Sequence, residues 1–151
     1  MSEKKKHPQD HGLENYQFPD HFGDWLGYRV ISVDSVKHRA EVELKIREDH
    51  LSPAGRVHGG VVSAFLDMAC GAAVFSTMKP KDYCSTVELK VNYLKPIELG
   101  DILLAKTEVV FQGKRLCVLH GMVYRNHQGT PVAMASATYN VVRWEKAQPT
   151  E

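Results

Sequence analysis

Residues 56–71 read Arg56-Val57-His58-Gly59-Gly60-Val61-Val62-Ser63-Ala64-Phe65-Leu66-Asp67-Met68-Ala69-Cys70-Gly71, and their pattern decides the fold. After His-Gly-Gly the chain runs apolar to Met78, and Asp67 is the only charged side chain before Lys79. A helix that is hydrophobic on every side is normally a buried one. The stretch therefore predicts a long central helix that carries one carboxylate inside. Burying such a charge costs several kcal/mol unless hydrogen bonds or a partner offset it. Asp67 is then either satisfied structurally or used.

Residues three and four apart share a helical face, which sets Asp67 beside Ser63, Ala64, Cys70 and Gly71. All four are small, while Phe65, Leu66 and Phe75 point elsewhere. Two readings stay open. The face leaves room for a substrate beside its carboxylate, or its small residues let the helix lie close to a sheet.

The glycines add a second element. Gly59 and Gly60 fall where a loop becomes a helix, so their amides are among the unpaired donors of the first turn. Those donors, with the positive end of the helix dipole, suit a carbonyl oxygen that becomes an oxyanion. A glycine pair also serves as a plain turn. Spacing then constrains the arrangement. Gly59 and Asp67 are eight residues apart, about 12 Å along a helix, and both must come within about 3 Å of one reacting centre. One copy of the helix cannot do this. A two-fold dimer with antiparallel helices brings Gly59 of one subunit opposite Asp67 of the other.

The 151 residues suit one domain with a real core. Hydrophobic content of 43% and charged content of 25% are those of an ordinary globular protein. A net charge of +1 gives no reason to expect nucleic acid or an anionic membrane as partner. Cys70, Cys84 and Cys117 form an odd, widely spaced set that implies no disulfide framework, and a reducing cytoplasm is expected. The basic, polar run Met1 to Asp10 lacks the apolar segment of a signal peptide. No stretch has the apolar length needed to cross a membrane.

Along the chain, residues 1–18 read as a disordered tail, 19–145 as a single domain and 146–151 as a second tail. Pro19 to Leu26 predicts a short amphipathic helix carrying Phe22, Trp25 and Leu26, with Asp20 as cap. Tyr28 to Val33 and the alternating Ala40, Val42, Leu44 and Ile46 predict two strands. Glu48 to Val57 reads as a loop, and the long helix is expected to end near Lys79-Pro80. Four strands follow: Val87 to Tyr93, with Val87, Leu89, Val91 and Tyr93 alternating; Ile102 to Phe111; its hairpin partner Leu116 to Tyr124; and Val132 to Trp144, rich in Ala and Thr on one face. Strands gathered around one helix give an α+β fold, an antiparallel β-sheet wrapped around one long central α-helix.

Three motifs carry a resemblance. Gly55-x-x-His58-Gly59-Gly60 precedes Asp67 by nine positions counted from the histidine; Thr86 to Pro96 reads TVELKVNYLKP before Gly100-Asp101; and Gly113-Lys114-Arg115 is followed by Gly129-x-x-Val132-Ala133. From about Phe22 to Trp144 the chain resembles the hotdog-fold thioesterases of the phenylacetate-pathway (PaaI-like) type, related to the acyl-CoA thioesterase 13 group. The resemblance implies hydrolysis of acyl-CoA thioesters, with no cofactor because CoA is part of the substrate, and a homodimer or dimer-of-dimers tetramer. It implies that Asp67 activates water or attacks the thioester, that the Gly59 amide donates to the thioester oxygen from the neighbouring subunit, and that His58 holds the loop and polarises the site. Thr86, or less directly Ser85, stands where a hydroxyl positions the water or the acid. One position departs: Ser52 stands where members often carry Asn, with shorter reach and no amide donor pair.

Substrate contacts are expected from Gly60, Ser63 and Ser85. Arg56, Lys114 and Arg115 are expected to meet the CoA phosphates, against the plainer reading of solvated surface charge. Eight histidines show no metal-ligand spacing, and no metal is expected. His120 reads as a core or interface histidine. There is no G-x-S-x-G elbow. Two rivals share the fold: an acyl-thioester dehydratase or hydratase, which needs a histidine paired with the acid, and a non-catalytic thioester-binding or regulatory module.

Overall fold

The computed structural model describes residues 19–143. The tails expected at 1–18 and 146–151, and Trp144, lie outside them. The order of elements is α1 (His21–Leu26), β1 (Tyr28–Asp34), β2 (Arg39–Lys45), a single 3-10 turn (Glu48–His50), α2 (Gly59–Phe75), then β3 (Tyr83–Tyr93), β4 (Ile102–Gln112), β5 (Leu116–Arg125) and β6 (Pro131–Val142). All six strands join one antiparallel sheet in the order β1-β2-β4-β5-β6-β3. The chain leaves β2, passes through α2 and returns as β3 at the far edge. The sheet curls round α2, which touches every strand. This is the α+β architecture expected.

The core is the interface between that helix and the concave face of the sheet. Phe65, Leu66, Ala69, Cys70, Ala73 and Val74 of α2 are fully buried against Val42, Leu44, Leu103, Ala105 and Leu119. Each large apolar side chain so buried contributes about 1.5–3 kcal/mol. The helix sits close because β6 offers Ala133, Ala135 and Ala137 and β5 offers Gly121. A Cβ on Gly121 would lie 3.1 Å from Leu66 Cδ2 and 3.2 Å from Thr107 Cγ2. Thr107 Oγ1 donates to the Ala69 carbonyl at 2.9 Å, a buried polar tie from β4 to the helix.

The helix α2 stops at Phe75, short of the expected Lys79-Pro80. Ser76 Oγ and Thr77 Oγ1 donate back to the carbonyls of Ala73 and Val74, each at 2.7 Å. The amides of Ser76, Thr77 and Met78 reach carbonyls three residues back, which tightens the last turn before proline intervenes.

In α1, Asp20 caps as expected, accepting from the Gly23 amide at 2.8 Å. The face differs from expectation. Leu26 is buried, but Phe22 and Trp25 are about half exposed, because six residues present less than two turns to the core. His120 is not a core residue: it sits exposed on the convex face of β5, where the pleat places every second side chain. β3 begins four residues earlier than expected and carries a bulge between Thr86 and Glu88. The extra residue breaks the alternation, so Val87 is 60% exposed instead of facing the helix with Leu89 and Val91.

Candidate active site

The carboxylate of Asp67 is half-buried, in the opening between α2 and the β3–β6 edge of the sheet. Three elements converge on it. The β3 bulge turns Thr86 inward, and Thr86 Oγ1 donates to Asp67 Oδ1 at 2.8 Å. Tyr139 of β6 is the Cα partner of Thr86 across the ladder. Its hydroxyl lies 2.6 Å from the same Oδ1 and 2.6 Å from the Asp67 carbonyl oxygen.

Burial, and then the adjacent Asp67 charge, push the Tyr139 hydroxyl far above the ordinary phenol range, so it stays a donor. The same two causes raise the thiols nearby, Cys70 to about 12 and Cys84 to about 11. Neither thiol is a nucleophile at neutral pH.

A second group of residues gathers at the start of α2. His58 caps the helix, and its Nδ1 accepts from the Gly60 amide at 2.9 Å. The neutral ring must then carry its proton on Nε2. A Cβ on Gly60 would approach that Nδ1 to 2.9 Å, so the cap needs a residue without one. The Gly59 amide has no partner among the described residues. Its carbonyl accepts from Ser63 Oγ and from Tyr93 Oη, each at 3.0 Å. Beside Gly59 opens a cleft of about 430 Å³, walled by Val57, Val62, Tyr93 and Ile97 and edged by Arg56 and Lys95.

The structure brings Asp67 and Thr86 together, and separately His58, Gly59 and Gly60. It does not join the two groups within one chain, since Gly59 and Asp67 are eight positions apart along the helix. Ser63 spends its hydroxyl on the helix backbone. Ser52 closes the turn before the helix: its amide donates to the Arg56 carbonyl at 2.7 Å and its carbonyl accepts from Gly55 at 2.9 Å. Ser85 is exposed and lies on the opposite face of the pleat from Thr86. Arg56 is exposed, with Glu98 at 3.8 Å. Lys114 and Arg115 are exposed in the β4–β5 turn. Among the described residues no group of His, Cys, Asp and Glu could hold a metal ion, and no helix is long and apolar enough to cross a membrane.

Two residues escaped the reading of the sequence. Tyr93 looked like one more apolar strand position. Tyr139 left a signal in the inward-facing run Ala133-Ala135-Ala137-Tyr139, where one large side chain with a polar tip follows three alanines.

The model of the thioesterase superfamily matches residues 54–132, more than half of the chain and all of α2 and β3. The chain belongs to the thioesterase superfamily. Human acyl-coenzyme A thioesterase 13 is 26% identical over 88 residues, 58% of this chain and 62% of that one. A Caenorhabditis elegans relative is 33% identical over 87 residues, 58% of this chain and 51% of its own. The chain thus matches between half and two thirds of the length of these relatives. The phenylacetic acid degradation-related protein of Ralstonia eutropha has 27% identity and a TM-score of 0.75, over 83% of this chain and 92% of that one. The architecture of this thioesterase-superfamily chain is therefore the hotdog fold.

Proposed function

We propose that the protein hydrolyses acyl thioesters, with acyl-CoA as the substrate class: acyl-CoA and water give a carboxylic acid and CoA. The observation that carries this reading is the Asp67 carboxylate, held at an open edge of the sheet by the Thr86 hydroxyl at 2.8 Å. Asp67 takes a proton from water as the oxygen adds to the thioester carbonyl. The carbonyl π pair moves onto oxygen, where the Gly59 amide of the neighbouring subunit meets it. Collapse breaks the C–S bond, and the thiolate leaves and takes up the proton. Direct attack by Asp67, giving an acyl-aspartate that water then cleaves, uses the same residues.

The dimer is part of the proposal. β3 pairs with β6 on one side only, and Val87 and Tyr93 on it are more than half exposed. An unpaired strand edge invites another strand. A second copy added there by a two-fold axis sets two α2 helices antiparallel, with Gly59 of each facing Asp67 of the other. A homodimer, or a dimer of such dimers, completes the site. His58 is engaged with the Gly60 amide and caps the helix nine residues before Asp67, which weighs against a dehydratase or hydratase in which histidine and acid share one subunit's site.

Release of free thiol from short, medium, long and aromatic acyl-CoAs, measured beside Asp67→Ala, tests the reading. Hydrolysis that falls at least a hundredfold in a folded variant is expected, within the range of general-base contributions, about 10²–10⁴. A variant with near-full activity overturns it, and silence of the native protein across the panel points to a binding module.

A further inference from the structure

A carboxylate at the end of a short side chain offers two equivalent oxygens, because its last torsion is two-fold. In this protein the symmetry is broken. Thr86 Oγ1 at 2.8 Å and Tyr139 Oη at 2.6 Å both meet Oδ1 of Asp67. We propose that Tyr139 is a positioning residue for the Asp67 carboxylate, its hydroxyl joining that of Thr86 on Oδ1 so that Oδ2 is the oxygen presented to the substrate. The proposal rests on the reading of Asp67 as the acid of thioester hydrolysis and adds which of its oxygens works and what holds it.

The two donors are not equivalent. Thr86 lies on the outermost strand of the sheet and is exposed in the single subunit. Tyr139 is 3% exposed and approaches from the packed side of α2, where a hydrogen bond to a charge is stronger. Its single proton has two acceptors within reach. The Asp67 carbonyl already serves the helix, four residues ahead of the Gly71 amide, so the charged carboxylate is the better recipient. Among the described residues of its own chain, Asp67 is faced by Tyr139 from β6, Thr86 and Cys84 from β3, and Cys70 from its own helix. Burial, and then the Asp67 charge, keep Tyr139 and both thiols protonated at neutral pH.

Tyr139→Phe keeps the buried ring and removes only the hydroxyl. Thiol-release kinetics of this variant, with its melting temperature, test the proposal. kcat should fall about ten- to a hundredfold, the loss expected for one hydrogen bond to a charged group, with KM changed less than twofold and the variant still cooperatively folded. Combined with Thr86→Val, the loss should exceed the product of the two single losses, because either donor alone still pins Oδ1. An unchanged kcat, a rise confined to KM, or strictly multiplicative losses overturns the proposal. Asp67→Asn run in parallel separates the two levels. If it is inactive while Tyr139→Phe behaves as wild type, only the positioning role fails; if it is active, the assignment of Asp67 fails.

Discussion

Thr86 and Tyr139 face each other across the β3–β6 ladder, and their hydroxyls meet at a single oxygen of Asp67. The bulge after Thr86 makes this possible, since a regular strand that directs Leu89 and Val91 at the helix would turn Thr86 outward. The sheet thus supplies the geometry, and the helix supplies the acid.

Thr86→Val preserves the branched shape and removes the donor. Turnover should fall about ten- to a hundredfold, since a hydrogen bond to a charged group contributes about 1.5–3 kcal/mol, while Thr86→Ser should stay within a few-fold of wild type. Steady-state thiol release from one acyl-CoA compares the two. Equal activity in Thr86→Val and wild type would separate this hydroxyl from the chemistry.

Gly59→Pro removes the amide proposed to meet the oxyanion at the helix position that tolerates proline best. Gly59 is the first helical residue, where proline's missing N–H is not needed for the helix. His58 before it is already extended, with φ −66° and ψ 134°, as a residue before proline prefers. The variant should fold, with a circular dichroism spectrum like that of wild type, and lose about a hundredfold or more in kcat. Full activity would mean that another donor serves the oxyanion.

The raised thiols make stability depend on alkaline pH. Burial, and then the Asp67 charge, push Cys70 up to about 12 and Cys84 up to about 11 in the folded chain, against an ordinary thiol value of 9.0. Below 9 both states hold their protons and the full stability is present. Above it the unfolded thiols ionise first, so stability falls as pH rises from 9 towards 11 and 12, by at most about 1.4 kcal/mol per pH unit for each thiol. Urea unfolding between pH 8 and 10.5 should show this slope, and Cys70→Ala should reduce it. A slope unaffected by that substitution would contradict the assignment.

Much of this was legible in residues whose pattern is local. The apolar run from Gly60 to Met78 announced the central helix, and the alternation in β2 and β4 announced the sheet. Asp67 was visible as the one charge in an apolar run, whereas Thr86 was reached only through the resemblance to the hotdog-fold thioesterases. What could not be read depended on contacts distant in sequence. Tyr139 lies seventy-two residues from Asp67, and no spacing rule links them. The exposure of Val87 needed the bulge, which is a property of the pairing with β6 rather than of β3 alone. The early stop of α2 came from Ser76 and Thr77, whose hydroxyls compete with the helix for its own carbonyls. The exposure of His120 turned on which face of β5 packs, a one-residue choice that alternation alone leaves open.

The central claim is a site built from Gly59 of one subunit and Asp67 of another, and a mixed dimer tests it directly. Asp67→Ala and Gly59→Pro chains, carrying different affinity tags, are co-expressed and purified through both tags. Each variant alone should be nearly inactive. In the mixed dimer one site receives both lesions and the other none, so thiol release should return to about half that of wild type. A mixed dimer as inactive as its parents would contradict the shared site.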